Sequence, residues 1–266
     1  MPAIDELFTK LRAEGRKALM PFVTAGDPDL ETTAAVLKEV AKRGAALCEL
    51  GIPYSDPIAD GPVIQASYTR ALDQGVKLAD IMAMLSHATP ELSAPVVTMV
   101  SYAIIYRHGP REYIEMAKEA GADGAIVPDL PVDEAAALSK LCREADFSLI
   151  QLVTPTTPND RAVRIAETSS GFIYYVSVAG ITGERRALPP ELVDRVGWLR
   201  EQTPLPVCIG FGISEPEHVR QLAPVADGLI VGSAIVRRIA AENQDPDARL
   251  REVGDYVSSL LAALDE

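Results

Sequence analysis

Residues 48–62 read CELGIPYSDPIADGP. Glu49 stands inside an apolar run, and Asp60 follows on a loop stiffened by Pro53, Pro57 and Pro62. A carboxylate at the end of a strand covered on both faces has two uses. It ties to a nearby cation or backbone N–H, or it serves as a general acid–base. At the mouth of a barrel the second use is favoured. The prolines limit the loop's freedom, so it can hold Asp60 over the same mouth. Asp56, in mid-loop, reads as an exposed, turn-forming aspartate.

Three glycine clusters come late in the chain: AGITG (179–183), GFG (210–212) and GS (232–233). One such cluster can simply make a tight turn. Two at consecutive strand ends, each leading into a helix with serine at its start, point to a bound phosphate. Gly212, Gly232 and Ser233 are the candidate contacts, with Gly183 beside them, and Ser214 and Ser233 are the expected N-caps. Lys10, Lys17, Lys38, Lys42, Lys77, Lys118 and Lys140 all fall in helical or surface segments, so no strand end offers a Schiff-base lysine. His87, His108 and His218 are dispersed and form no ligand set. Carbon–carbon chemistry here would need the substrate as its own electron sink.

The elements that must position these residues alternate along the chain. Short apolar runs occur at 18–24, 46–50, 95–101, 124–128, 147–153, 171–177, 206–210 and 228–232. They are nearly continuous in apolar character, as parallel strands covered on both faces are. Helical periodicity is present at 30–45, 109–122, 131–145, 157–169, 189–203, 214–226 and 233–243. Eight alternating units predict an α/β fold, a (β/α)8 TIM barrel formed as a single domain over 1–266. An extra N-terminal helix is expected within 3–15 and an extra C-terminal helix after Asp245. An open doubly wound sheet is the alternative, but its G-x-G-x-x-G signal is absent.

Composition narrows the partners. The 266-residue chain is 48% hydrophobic and carries a formal net charge of −13, which argues against nucleic acid. Cys48, Cys142 and Cys208 are too widely spaced for a metal knuckle and read as buried reduced thiols. The N-terminus is charged and lacks an apolar signal core, and no apolar run is long enough for a membrane span. A cytoplasmic protein is expected.

The motifs PFVTAGDP, ELGIPYSDPIADGP, VPDLPVDE, AGITGERRALP and GFGIS, in this order from about Lys17 to Arg238, resemble the α-subunit family of tryptophan synthase. The resemblance implies a TIM-barrel lyase that cleaves indole-3-glycerol phosphate to indole and glyceraldehyde 3-phosphate in tryptophan biosynthesis. It implies Glu49 as acid–base residue, Asp60 as partner of the indole N–H, and Tyr174 as the third catalytic residue, with Tyr175 its one-residue rival. It implies an indole pocket of Phe22, Ile64, Val100, Tyr102, Ile126, Pro128, Leu152 and Phe211. Thr182 falls on a closing loop after the sixth strand, and Gly183, Gly212, Gly232 and Ser233 fall on the phosphate. It also implies no cofactor in this chain, a pyridoxal-phosphate β subunit as partner, and an α2β2 heterotetramer in which indole passes to that partner. Tyr54, Ile181, Val178, Ala179, Arg185 and Arg186 depart from the family's commoner residues. A different phosphate-binding barrel lyase or isomerase, or a non-catalytic subunit that activates a partner, are the competing readings.

Overall fold

The eight apolar runs become strands because β-branched and aromatic residues crowd them and Gly, Pro or Asp ends them. In the computed structural model they are β1 (Ala18–Thr24), β2 (Cys48–Gly51), β3 (Val96–Met99), β4 (Gly124–Ile126), β5 (Ser148–Val153), β6 (Ile173–Val176), β7 (Val207–Gly210) and β8 (Gly228–Val231). The structure describes residues 2–58, 60–177, 190–210, 212–241 and 245–266. All neighbouring strands pair in parallel, and β8 closes on β1 through Ala18 opposite Gly228. The expected TIM barrel is therefore the observed fold.

Around it run α1 (Ala3–Ala13), α2 (Leu30–Lys42), α3 (Pro62–Asp73), α4 (Leu78–Ala88), α5 (Tyr102–His108), α6 (Pro110–Glu119), α7 (Ala135–Glu144), α8 (Asn159–Thr168), α9 (Pro190–Gln202), α10 (Pro216–Leu222), α11 (Ser233–Ile239) and α12 (Pro246–Leu264). The expected terminal helices are α1 and α12. Three helices were not anticipated. α3 and α4 fill the β2–β3 connection, and α5 precedes α6 after β3. Neither expected serine cap is observed. Glu215 takes the extended N-cap conformation of α10 because Pro216 suits the first helical position, and Gly232 is the N-cap of α11, with Ser233 its first residue.

Strand alternation divides the core in two. One cluster packs the strands against the helices and includes Val100 and Tyr175. The other fills the barrel and includes Phe22, Ile64, Tyr68, Ile126, Ile150 and Tyr174. Ile4, Phe8 and Leu11 of α1 join this inner cluster, with the Phe8 and Phe172 rings 5.7 Å apart. The N-terminal end of the barrel is thus plugged, and the working cavity belongs to the opposite end. The three cysteines are buried free thiols, with Cys48 and Cys142 pushed up to about 12 by burial. Among the described residues, no helix is long and apolar enough to cross a membrane.

Candidate active site

A cavity of about 770 Å³ opens at the C-terminal ends of the strands. Glu49, Asp60, Tyr174, Phe22, Ile64, Pro128, Leu152, Gly212, Gly232 and Ser233 all line it. These residues come from most of the circumference of the barrel, so closure of the sheet is what brings them together.

Glu49 lies between Phe22 of β1 and Val97 of β3 in the strand register. Its side chain points inward and is 1% exposed. Neither carboxyl oxygen has a hydrogen-bond partner among the described residues. Burial, with the neighbouring charge of Asp60 second, pushes its pKa up from 4.5 to about 8. The acid is thereby kept protonated at neutral pH, which suits a proton donor.

Asp60 is placed by its loop. The Gln65 side-chain amide of α3 donates to the Asp60 carbonyl at 2.8 Å and the Pro57 carbonyl at 3.2 Å. Arg70, further along α3, makes a two-pronged pair with buried Asp27 of the β1 loop at 2.9 and 2.7 Å. The last turn of α3 is therefore tied to the loop after β1, while Gln65 in its first turn holds the loop that carries Asp60. The Tyr54 hydroxyl donates to Asp60 Oδ2 at 3.5 Å, a long contact. Burial raises Asp60 to about 6, with the Tyr54 hydrogen bond opposing it. Both carboxyls are raised, but only Glu49 passes neutrality, so one is an acid and the other an anion at pH 7.

Tyr174 faces the cavity and Tyr175 the helices, as strand alternation requires. Gly210 makes room for it. A Cβ there would collide with the Tyr174 hydroxyl, Cε1 and Cζ. Gly51 does the same for the Phe22 ring. Sequence reasoning took Gly212 of the GFG run as a phosphate contact and gave Gly210 no role, so it missed this packing.

At the far end of the cavity, Gly212 holds φ +79°, which favours glycine. Gly232 and Ser233 open α11, whose first N–H groups have no acceptor within the helix. Arg237 lies one helical turn after Ser233 and lines the same cavity, as does Arg161 of α8. Both arginines were missed by sequence reasoning. The spacing Ser233–Arg237 on one helix face was the available signal.

Three pocket expectations are placed elsewhere. Val100 packs in the outer cluster because it follows inward-facing Met99 and so takes the opposite face. Tyr102 begins α5, with its N–H donating to Asp129 Oδ1 at 2.7 Å, and does not line the cavity. Ile126 is fully buried in the barrel-filling cluster without reaching the cavity. Thr182, Gly183 and Phe211 lie outside the described residues. Asp56 is exposed, as expected.

Comparison with known proteins gives a consistent result. The family model described as tryptophan synthase alpha chain matches residues 8–264. The tryptophan synthase alpha chain of Rhodopirellula baltica is 60% identical, with 100% of this chain and 99% of the relative covered. That of Arabidopsis thaliana is 44% identical over 98% of this chain and 95% of its own length. Among solved structures, tryptophan synthase subunit alpha from Legionella pneumophila superposes with a TM-score of 0.91 at 38% identity, covering 100% and 99% of the two chains. A ligand-free tryptophan synthase from M. tuberculosis matches with a TM-score of 0.89 at 28% identity, covering 100% of both chains.

Proposed function

The chain belongs to the tryptophan synthase alpha chain family, and from that premise we propose how its residues cleave indole-3-glycerol phosphate to indole and glyceraldehyde 3-phosphate. The observation that carries the assignment is the pair of buried Glu49 and half-buried Asp60, which line one cavity with carboxyls held at about 8 and about 6.

Glu49, protonated in the resting site, gives its proton to indole C3. The ring becomes an indoleninium, with positive charge on nitrogen. Asp60, ionised at neutral pH, accepts a hydrogen bond from the indole N–H and stabilises that charge. The Glu49 carboxylate then takes the proton of the C1′ hydroxyl. The C1′–C3 bond breaks, its electron pair restores the ring double bond, and C1′ becomes the aldehyde of glyceraldehyde 3-phosphate. The proton lent to C3 stays on indole, and Glu49 recovers one from the hydroxyl, so the site is reset. Protonated indole is itself the electron sink, and the reaction calls for no cofactor in this chain.

Tyr174 and Phe22 give the ring an aromatic wall, with Ile64, Pro128 and Leu152 completing the apolar side. The backbone at Gly212, Gly232 and Ser233 takes the phosphate, with Gly183 and Thr182 assigned to the closing loop from the family resemblance. The partner is a β subunit carrying pyridoxal phosphate, in an α2β2 assembly that receives indole. Its docking surface is the crest beside the cavity mouth, where Asp56 is exposed and Ile58 is 91% exposed on the loop that carries Asp60. A cytoplasmic location fits such an enzyme.

The test is release of indole from indole-3-glycerol phosphate by the purified chain, alone and with a β subunit. Cleavage that the partner accelerates supports the reading. A chain that binds the β subunit and raises its activity, but never cleaves the substrate, would instead be a partner-activating subunit.

A further inference from the structure

Tyr68 is on α3, one turn after Ile64, and is fully buried. Its hydroxyl has no hydrogen-bond partner among the described residues, and neither has either oxygen of Glu49. A buried hydroxyl without a partner is costly, and phenylalanine would fill nearly the same volume without that cost. The hydroxyl has a definite place. It lies 2.8 Å from the point where a Cβ on Gly51 would stand. Gly51 is two residues beyond Glu49 on the same face of β2. The Tyr68 ring packs on Tyr54 with centroids 5.5 Å apart, and Tyr54 in turn reaches Asp60. Tyr68 does not line the cavity, whereas Glu49 and Tyr174 do. It is therefore still available to Glu49 when substrate fills the space in front.

We propose that Tyr68 is a positioning residue for the lyase reaction, its hydroxyl donating a hydrogen bond to the Glu49 carboxylate that forms when the proton leaves for indole C3. The proposal rests on the reading of Glu49 as the residue that gives and retakes a proton. A protonated Glu49 leaves neutral groups unpaired, but a buried carboxylate is charged and acceptor-only, and leaving it without a donor costs far more. Of the buried hydroxyls near Gly51, that of Thr24 is already paired with Ser67, so a turn of the Glu49 side chain toward Gly51 would carry its carboxylate to the unpaired hydroxyl of Tyr68. The ionisable groups facing this hydroxyl are Asp60, Tyr54, Glu49 and Tyr174, and burial is the largest cause holding the Tyr68 phenol well above its ordinary pKa. It therefore keeps its proton, and remains a donor, wherever the enzyme works. The bond stabilises the intermediate ionisation of Glu49 and holds the carboxylate in line for the C1′ hydroxyl.

The test compares wild type with Tyr68→Phe for kcat, KM, the pH dependence of kcat/KM, and urea stability. The expected variant folds with stability equal to or above wild type, since an unpaired hydroxyl has gone. Its kcat falls about tenfold, the scale of one hydrogen bond to a charged group, while KM changes less than about twofold. The basic limb assigned to Glu49 moves upward, because the carboxylate has lost a donor. Difluorotyrosine placed at position 68 keeps the ring shape and makes a stronger donor, and it should move that limb downward. This second variant decides the matter if Tyr68→Phe does not fold. Kinetics and pH limb identical to wild type in either variant overturn the role of Tyr68 while leaving Glu49 in place. A wild type that cleaves no substrate overturns the reading of Glu49 itself.

Discussion

Replacing Glu49 by glutamine should make the protein more stable relative to wild type as the pH rises. In the folded chain the Glu49 carboxyl is held at about 8, against 4.5 for an ordinary glutamate. The unfolded chain releases this proton near the ordinary value. Between those two pH values the unfolded state binds fewer protons than the folded one, so stability falls as pH rises. The slope approaches about 1.4 kcal/mol per pH unit. Integrated, the burden on wild type is under about 1 kcal/mol at pH 5, about 3 kcal/mol at pH 7 and about 5 kcal/mol at pH 9. Glutamine keeps the shape and does not titrate. Any fixed cost of its buried amide is the same at every pH, and Asp60 titrates in both proteins. The difference in stability between the variant and wild type should therefore grow in the variant's favour by roughly 4 kcal/mol between pH 5 and pH 9. Urea unfolding at pH 5, 7 and 9, at constant ionic strength and followed by far-ultraviolet circular dichroism, measures it. Parallel stability curves would refute the reasoning, because they would mean that Glu49 is not held protonated by burial.

The pH dependence of kcat/KM should be a bell with an acid limb near 6, where Asp60 gains its proton, and a basic limb near 8, where Glu49 loses its own; Asp60→Asn should remove the acid limb, and a persistent acid limb would reassign it. Gly210→Ala puts a methyl group into the space of the Tyr174 phenol, and should cost about 1–3 kcal/mol of stability with a loss of kcat, since overpacking forces the ring from its rotamer; an unchanged Tyr174 position in a crystal structure of the variant would contradict this. Gly232→Ala has room, the nearest atom being Phe22 Cβ at 3.6 Å, so stability should hold while KM for the phosphorylated substrate rises several-fold, about 1 kcal/mol of binding; an unchanged KM would take Gly232 off the phosphate. Arg70→Met leaves the buried Asp27 carboxyl without its pair and should destabilise the chain by roughly 2 kcal/mol, below the range for fully buried pairs because Arg70 is partly exposed; urea midpoints within error of wild type would show that the pair does not anchor α3.

The barrel was legible because each strand announced itself as a short apolar run with a breaker at either end, and closure followed from counting them. Glu49 was legible for the opposite reason: a charge inside such a run conflicts with its surroundings, and conflicts of that kind mark functional sites. What could not be read depended on phase and on contacts between elements. Val100 follows Met99 by one residue, and that single step turns it from the cavity to the helices. Ser214 and Ser233 had the chemistry of caps, but Pro216 and Gly232 set the helix starts one residue away. α3 and α4 were hidden behind the proline-rich loop, and with them Tyr68 and Arg70, whose roles are visible only once α3 is laid against β1 and β2. The resemblance supplied Tyr174 over Tyr175, and the inward face of β6 gives the physical reason for that choice.

The most direct test of the account is a single-turnover measurement of indole formation from indole-3-glycerol phosphate by wild type and by Glu49→Gln, each saturated with a β subunit. The account predicts rapid, stoichiometric indole formation from wild type and none from the variant, with substrate binding and partner binding both retained. Indole formed by Glu49→Gln at the wild-type rate would contradict the claim that this buried carboxyl moves the proton.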